Sequence, residues 1–83
     1  MKIYVVIGGK WFDKQNGNTY NRAKIIDIKT EDRYYTNYTY GYGTQYLTEA
    51  EIYIKNTLKK KSFKIINGGS YYMTKRELKS NYF

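Results

Sequence analysis

Tyr34-Tyr35-Thr36-Asn37-Tyr38-Thr39-Tyr40-Gly41-Tyr42-Gly43-Thr44-Gln45-Tyr46 is the stretch on which the fold turns, and six of its thirteen residues are tyrosine. Read with a period of two, Tyr34, Thr36, Tyr38, Tyr40 and Tyr42 fall on one face. Tyr35, Asn37, Thr39, Gly41 and Gly43 fall on the other. Aromatic and β-branched residues suit a pleated, half-buried surface, so the pattern predicts a strand. The glycines then let the chain leave it and turn into the next element. On this reading the stretch is the central strand and its exit, with apolar segments on both sides packing onto it.

Upstream, Glu31-Asp32-Arg33 reads as a charged turn. Before it, residues 19–30 form a second strand with imperfect alternation, and a bulge near Ile25-Ile26 reconciles its two faces. Asp13-Lys14-Gln15-Asn16-Gly17-Asn18 is a turn, because Asn-Gly between apolar runs is a strong hairpin signal. Residues 2–12 are the first strand. Ile3, Val5 and Ile7 point one way, and Tyr4 and Val6 the other. With both faces apolar, the strand is expected to be central or covered on both sides. Gly8-Gly9 suggests a bulge or a close backbone approach. Its spacing is wrong for a phosphate loop.

Downstream, Leu47, Ala50, Ile54 and Leu58 share one helical face. Thr44 is a candidate cap, and Thr48 with Glu51 matches a capping box. Glu49 and Glu51 near the start and Lys59-Lys60-Lys61 near the end suit the helix dipole. Phe63 to Ile66 then reads as strand four, Asn67-Gly68-Gly69 as a second hairpin turn, and Ser70 to Met73 as strand five. Thr74 with Glu77 caps a short helical turn from Lys75 to Ser80, before the Tyr82-Phe83 end. The expected fold is α+β, a single domain over residues 1–83. It has two layers, an antiparallel sheet with one helix packed on one face, in the order β-β-β-α-β-β.

Composition excludes more than it identifies. There is no cysteine and no histidine. Disulfides, thiolate metal sites and cysteine nucleophiles are therefore ruled out, and the commonest general base is missing. Among the carboxylates, only Asp27 lies within a predicted strand; the others have ordinary turn or helix-start roles. The reading is of a non-enzyme with no cofactor, no metal and no evident small-molecule substrate. No run approaches the ~20 apolar residues of a membrane span, and no membrane partner is expected.

The charge is lopsided. Residues 1–54 carry seven Lys/Arg against six Asp/Glu, whereas residues 55–83 carry eight against Glu77 alone. A one-sided basic excess points to a polyanionic partner. Lysine outnumbers arginine twelve to three, which a genome rich in A/T codons would also produce. Such a bias does not explain why the charge gathers in the last third.

The run Trp11-Phe12-Asp13-Lys14-Gln15-Asn16-Gly17-Asn18-Thr19-Tyr20, followed by Tyr40-Gly41-Tyr42-Gly43-Thr44-Gln45-Tyr46, resembles a group of small, largely uncharacterised phage and prophage proteins. Their shared features are a WFDKxNGNTY-like hairpin and a YGYG segment before a helix. The resemblance covers roughly residues 10–60 and carries no known chemistry, so no functional residue transfers. It implies a phage accessory protein acting in the cytoplasm of a host bacterial cell. Inhibitors of host defence, such as anti-CRISPR proteins, are common in that company.

The expected activity is non-catalytic binding of nucleic acid or of a host nucleoprotein complex. The candidate binding residues are Lys55, Lys59, Lys60, Lys61, Lys64, Lys75, Arg76 and Lys79, with Tyr71 and Tyr72. The lysines and arginine neutralise phosphate and the rings stack on bases. Tyr35, Tyr38, Tyr40 and Tyr42 are further stacking candidates, against a competing role in the core. Trp11 and Phe12 are candidate anchors, against a role in closing the end of the core. One alternative is a protein-directed inhibitor with no direct nucleic-acid contact. Another is a structural or dimerising accessory domain, since an open strand edge allows a homodimer.

Overall fold

The structure, a computed structural model, describes residues 1–80 and 83. Strand β1 (Lys2–Asp13) turns at Asn16-Gly17 into β2 (Asn18–Asp27). Two short strands follow, β3 (Arg33–Tyr35) and β4 (Thr39–Tyr40). Helix α1 (Gln45–Asn56), strand β5 (Phe63–Tyr72) and helix α2 (Lys75–Lys79) complete the chain. The sheet order is β3-β2-β1-β5, with β4 also paired to β2.

The central strand is β1, not the tyrosine stretch. It has a paired strand on each side, Tyr4 and Val6 face the core under α1, and Ile3, Val5 and Ile7 face the opposite side of the sheet. It pairs antiparallel with β2, from Tyr4–Asp27 to Asp13–Asn18, and parallel with β5. The tyrosine stretch lies at the sheet edge and is broken in two. Thr36 causes the break: its Oγ1 accepts the Ala23 N–H at 2.9 Å, replacing a carbonyl of the ladder. The Thr36 N–H still donates to the Ala23 carbonyl at 3.0 Å. Residues 36–38 therefore leave the ladder, and pairing resumes only at Thr39–Asn21 and Tyr40–Tyr20. The detour resets the side-chain parity. Tyr34 packs towards α1 against Tyr53, whereas Tyr38 and Tyr40 turn to the other face and meet Tyr20.

The second half also departs from the expected hairpin. Asn67-Gly68-Gly69 does not reverse the chain; Phe63–Tyr72 is one strand running parallel to β1. The glycines absorb a register shift opposite Val6–Gly8. Gly69 takes φ +92°, a conformation that L side chains rarely adopt. Its N–H donates to Asn67 Oδ1 at 2.8 Å. The observed order is thus β-β-β-β-α-β-α, still α+β and mostly antiparallel, with one parallel pair.

The main core lies between α1 and one sheet face. Tyr4, Val6, Ala23 and Ile25 from the sheet meet Tyr46, Ala50 and Ile54 from the helix. Ala50 and Ile54 confirm the helical face read from the sequence, while Tyr46 joins them on it and Leu47 and Leu58 are half-buried. Burial of a side chain the size of Ile54 contributes about 2 kcal/mol. Gly8 is where Tyr46 lands: a Cβ there would sit 2.5 Å from the ring. α1 begins at Gln45 with Thr44 at the cap position, and neither Thr44 nor Thr48 caps it through a side chain.

On the opposite face, α2 covers one end of the sheet. Leu78 is fully buried against Gly9, whose added Cβ would lie 2.6 Å from Leu78 Cδ1. The Thr74–Glu77 capping box forms as expected: Thr74 Oγ1 accepts the Glu77 N–H at 3.1 Å, and Glu77 Oε1 accepts the Thr74 N–H at 3.0 Å. Arg22 ties the far end of α2 to the sheet. Its guanidinium donates to the carbonyls of Thr36, Leu78 and Ser80. The expected end at Tyr82 lies outside the described residues.

Candidate nucleic-acid interface

β1 and β5 run parallel, and α1 runs back between their ends, so the molecule has two distinct poles along a 43 Å axis. One pole holds the β1–β2 turn, the C-terminal end of β5, the start of α1, and α2. The other holds the loop from α1 to β5 and the first residues of β1.

Aromatic side chains gather at the first pole. Trp11 stacks on Tyr20 with ring centroids 5.8 Å apart. Tyr20 stacks on Tyr38 at 5.0 Å and 8°. Tyr40 meets Tyr20 edge-on at 6.0 Å. The register explains this ladder, since Trp11 faces Tyr20 across β1–β2 and Tyr20 faces Tyr40 across β2–β4. Lysines from α2 lie over it. Lys75 Nζ is 5.3 Å from the Trp11 ring and Lys79 Nζ is 5.0 Å from the Tyr38 ring. Spaced i, i+4, the two lysines share a face of α2. On the other side of the sheet, Lys10 Nζ lies 5.8 Å from the Tyr46 ring. Arg22 and Tyr35 make a similar contact at 4.9 Å.

Trp11, Tyr20 and Tyr38 of the ladder are half-buried and hold α2, but Tyr40 at its edge and a further set of rings around it are open. Among the described residues the exposed aromatics are Phe12, Tyr40, Tyr42, Tyr71 and Tyr72, all at this pole. Tyr72 is 74 % and Tyr42 72 % exposed, so each leaves a ring face free to stack. A cleft of about 530 Å³ opens between the turn and α2, lined by Trp11, Phe12, Asp13, Lys14, Gln15, Asn16 and Lys75. Asp13 is the one acid there, and it is already engaged. Its carboxylate accepts from Asn16 Nδ2 at 2.8 Å and from the Gln15 N–H at 3.1 Å, which holds it below the ordinary carboxylate range.

The sequence-predicted set is divided by this geometry. Lys75, Arg76, Lys79, Tyr71 and Tyr72 lie together at the aromatic pole. Lys55, Lys59, Lys60, Lys61 and Lys64 lie at the other, separated by the length of β5, about 30 Å. There, three of the five serve the end of α1. Lys55 pairs with Glu51 at 2.8 Å, and the Lys60 N–H closes the end of α1 on the Ile54 carbonyl at 3.1 Å. Lys59 takes φ +56° in the turn that leaves the helix. Sequence reasoning left Lys10 and Lys14 out of the set. Their signal was position: Lys10 precedes the Trp11-Phe12 pair, and Lys14 sits in the turn beside it.

Four carboxylates elsewhere are occupied locally. Asp27 takes the Lys2 ammonium at 2.8 Å and the Lys29 N–H at 2.9 Å, which bring its pKa down to about 2. Glu49 accepts from Gln45, Asp32 from Thr30 and Glu77 from Thr74. Among the described residues no three acidic side chains converge as a metal site would require, and no helix is long and apolar enough to cross a membrane.

No protein-family model matches the chain, and neither a curated protein nor a solved structure matches it.

Proposed function

We propose that this protein acts by binding rather than by catalysis, and that its ligand is nucleic acid or a nucleoprotein complex engaged at the aromatic pole. The observation that carries this reading is the concentration of exposed rings at the pole where Lys10, Lys14, Lys75, Arg76 and Lys79 also gather. Base stacking on a ring contributes about 1–3 kcal/mol and needs no sequence-specific hydrogen bonds, while the cations neutralise phosphates. The open rings Phe12, Tyr40, Tyr42, Tyr71 and Tyr72 fit unpaired bases better than a stacked duplex, so single strands are the preferred ligand. The phage-like motifs of residues 10–60 favour a role in a host bacterial cell, as an inhibitor of a defence complex that carries nucleic acid.

Fluorescence anisotropy with labelled single- and double-stranded DNA and RNA at two salt concentrations tests the proposal. Salt-sensitive binding at micromolar concentration or tighter, stronger for single strands, is the expected result. No binding at low salt overturns it.

A further inference from the structure

The second face of the sheet is covered at one pole only. α2 seals it over Gly9, and Phe83 lies beside Tyr35 and Lys24. Towards the other pole the register lays out aliphatic side chains in rows. Ile26, Val5 and Ile66 stand side by side across β2, β1 and β5, with Arg33 of β3 at the end of the row. In the next row Ile28, whose N–H donates to the Ile3 carbonyl at 3.3 Å, stands beside Ile3, and Lys64 of β5 stands on its other side. Ile7 lies in the row above, next to Lys24.

Ile28 and Ile66 are 48 % and 44 % exposed. No described helix or strand lies over these rows. The strand positions of the face hold no acid here. Arg33 and Lys64 fence the aliphatic floor on its two outer strands, and among the described residues neither makes an ion pair. Lys24 donates to the Phe83 carbonyl instead.

We propose that this trough receives an amphipathic helix of a protein partner, with an aliphatic stripe for the floor and carboxylates on its flanks for Arg33 and Lys64. Three spacings of ~4.8 Å between four strands give a width of about 14 Å, close to the 10–12 Å diameter of a helix. Charge selects the occupant. A second copy of this chain would bring Arg33, Lys24 and Lys64 against the same cations. A nucleic-acid backbone leaves the isoleucine floor without use, and a lipid surface needs apolar groups that protrude beyond their fence. An acidic amphipathic helix satisfies both floor and fence, in the helix-in-groove manner. The patch spans about three helical turns, so affinity in the micromolar range is expected. The inference does not rest on nucleic-acid binding at the opposite pole.

Selection from a library of short random peptides tests it, with each winner measured by calorimetry and methyl NMR. Expected winners place Leu or Ile at i, i+3, i+4 and i+7 and Asp or Glu beside them. They shift the Ile28 and Ile66 methyl resonances, and lose about tenfold or more in affinity against Ile28→Ser/Ile66→Ser and against Arg33→Gln/Lys64→Gln. All four positions are exposed, and unchanged thermal unfolding of the variants establishes that the fold is retained. Winners that are basic or lack the stripe, affinity that survives both variants, or no winner at all overturn the proposal. So does a self-association, or binding to phosphatidylserine vesicles, that Ile28→Ser/Ile66→Ser abolishes.

Discussion

Replacing Lys75, Arg76 and Lys79 with glutamine removes the α2 cations, and with them the Lys75–Trp11 and Lys79–Tyr38 contacts, but leaves the two main anchors of α2. Thr74 and Glu77 still form the capping box, and Leu78 still fills the space over Gly9. If Lys10, Lys14, Lys75, Arg76 and Lys79 each neutralise one phosphate of a single strand, the plot of log affinity against log salt has a slope of about −3.5. Removing three contacts leaves a slope of about −1.4. Each contact is worth ~0.7 log units at 0.1 M salt, so the triple variant loses about 100-fold in affinity there. The matching variant at the other pole, Lys59→Gln/Lys60→Gln/Lys61→Gln, removes the same charge about 30 Å away. It is expected to weaken binding by only a few-fold, through the long-range field. Anisotropy at four or more salt concentrations separates the two. A larger loss from the Lys59–Lys61 variant, or a slope untouched by the α2 variant, would refute placing the site at the aromatic pole.

Three further outcomes test the parts of the account separately. Tyr71→Ser and Tyr72→Ser remove exposed rings, so each lowers single-strand affinity by about 1–3 kcal/mol with the salt slope and the unfolding midpoint unchanged. Gly8→Ala forces a Cβ to within 2.5 Å of the Tyr46 ring and is expected to destabilise the fold by about 1–3 kcal/mol in urea unfolding. The Lys2–Asp27 pair makes stability depend on pH at both extremes. The Asp27 pKa is lowered to about 2, so its contribution is complete above the ordinary carboxylate range and disappears as pH falls from about 4 to about 2. The Lys2 pKa is raised by the same hydrogen bond, so its contribution is complete below the ordinary lysine pKa and disappears as pH rises through the raised value. Asp27→Asn should flatten the acid limb of the unfolding midpoint against pH.

What the sequence made legible was local. The alternation of Ile3 to Ile7, the Asn16-Gly17 turn, the Ala50–Ile54 face and the Thr74–Glu77 box each depend on residues a few positions apart, and each stands in the structure. What it hid was set by distant partners. Tyr34 to Tyr42 reads as one strand until Thr36 meets Ala23, a contact across thirteen positions that ends the ladder and reverses the parity of the tyrosines. Asn67-Gly68-Gly69 carries a hairpin signal, yet α1 delivers the chain alongside β1, where eight parallel residue pairs on either side of the glycines outweigh a turn. That strand also divides the basic tail. Lys64 and Lys75 look like members of one basic tail, and β5 holds them at opposite ends of the molecule. Only the α2 half of the tail reaches the rings of Trp11 and Tyr38, which come from the first half of the chain.

The most direct test of the central claim is a residue-resolved NMR titration of the protein with a short single-stranded oligonucleotide at low salt. The account predicts shifts concentrated at Trp11, Phe12, Tyr40, Tyr42, Tyr72 and the α2 amides, with Lys59 to Lys64 nearly silent. Shifts confined to Lys59–Lys64, or none at any residue, would contradict it.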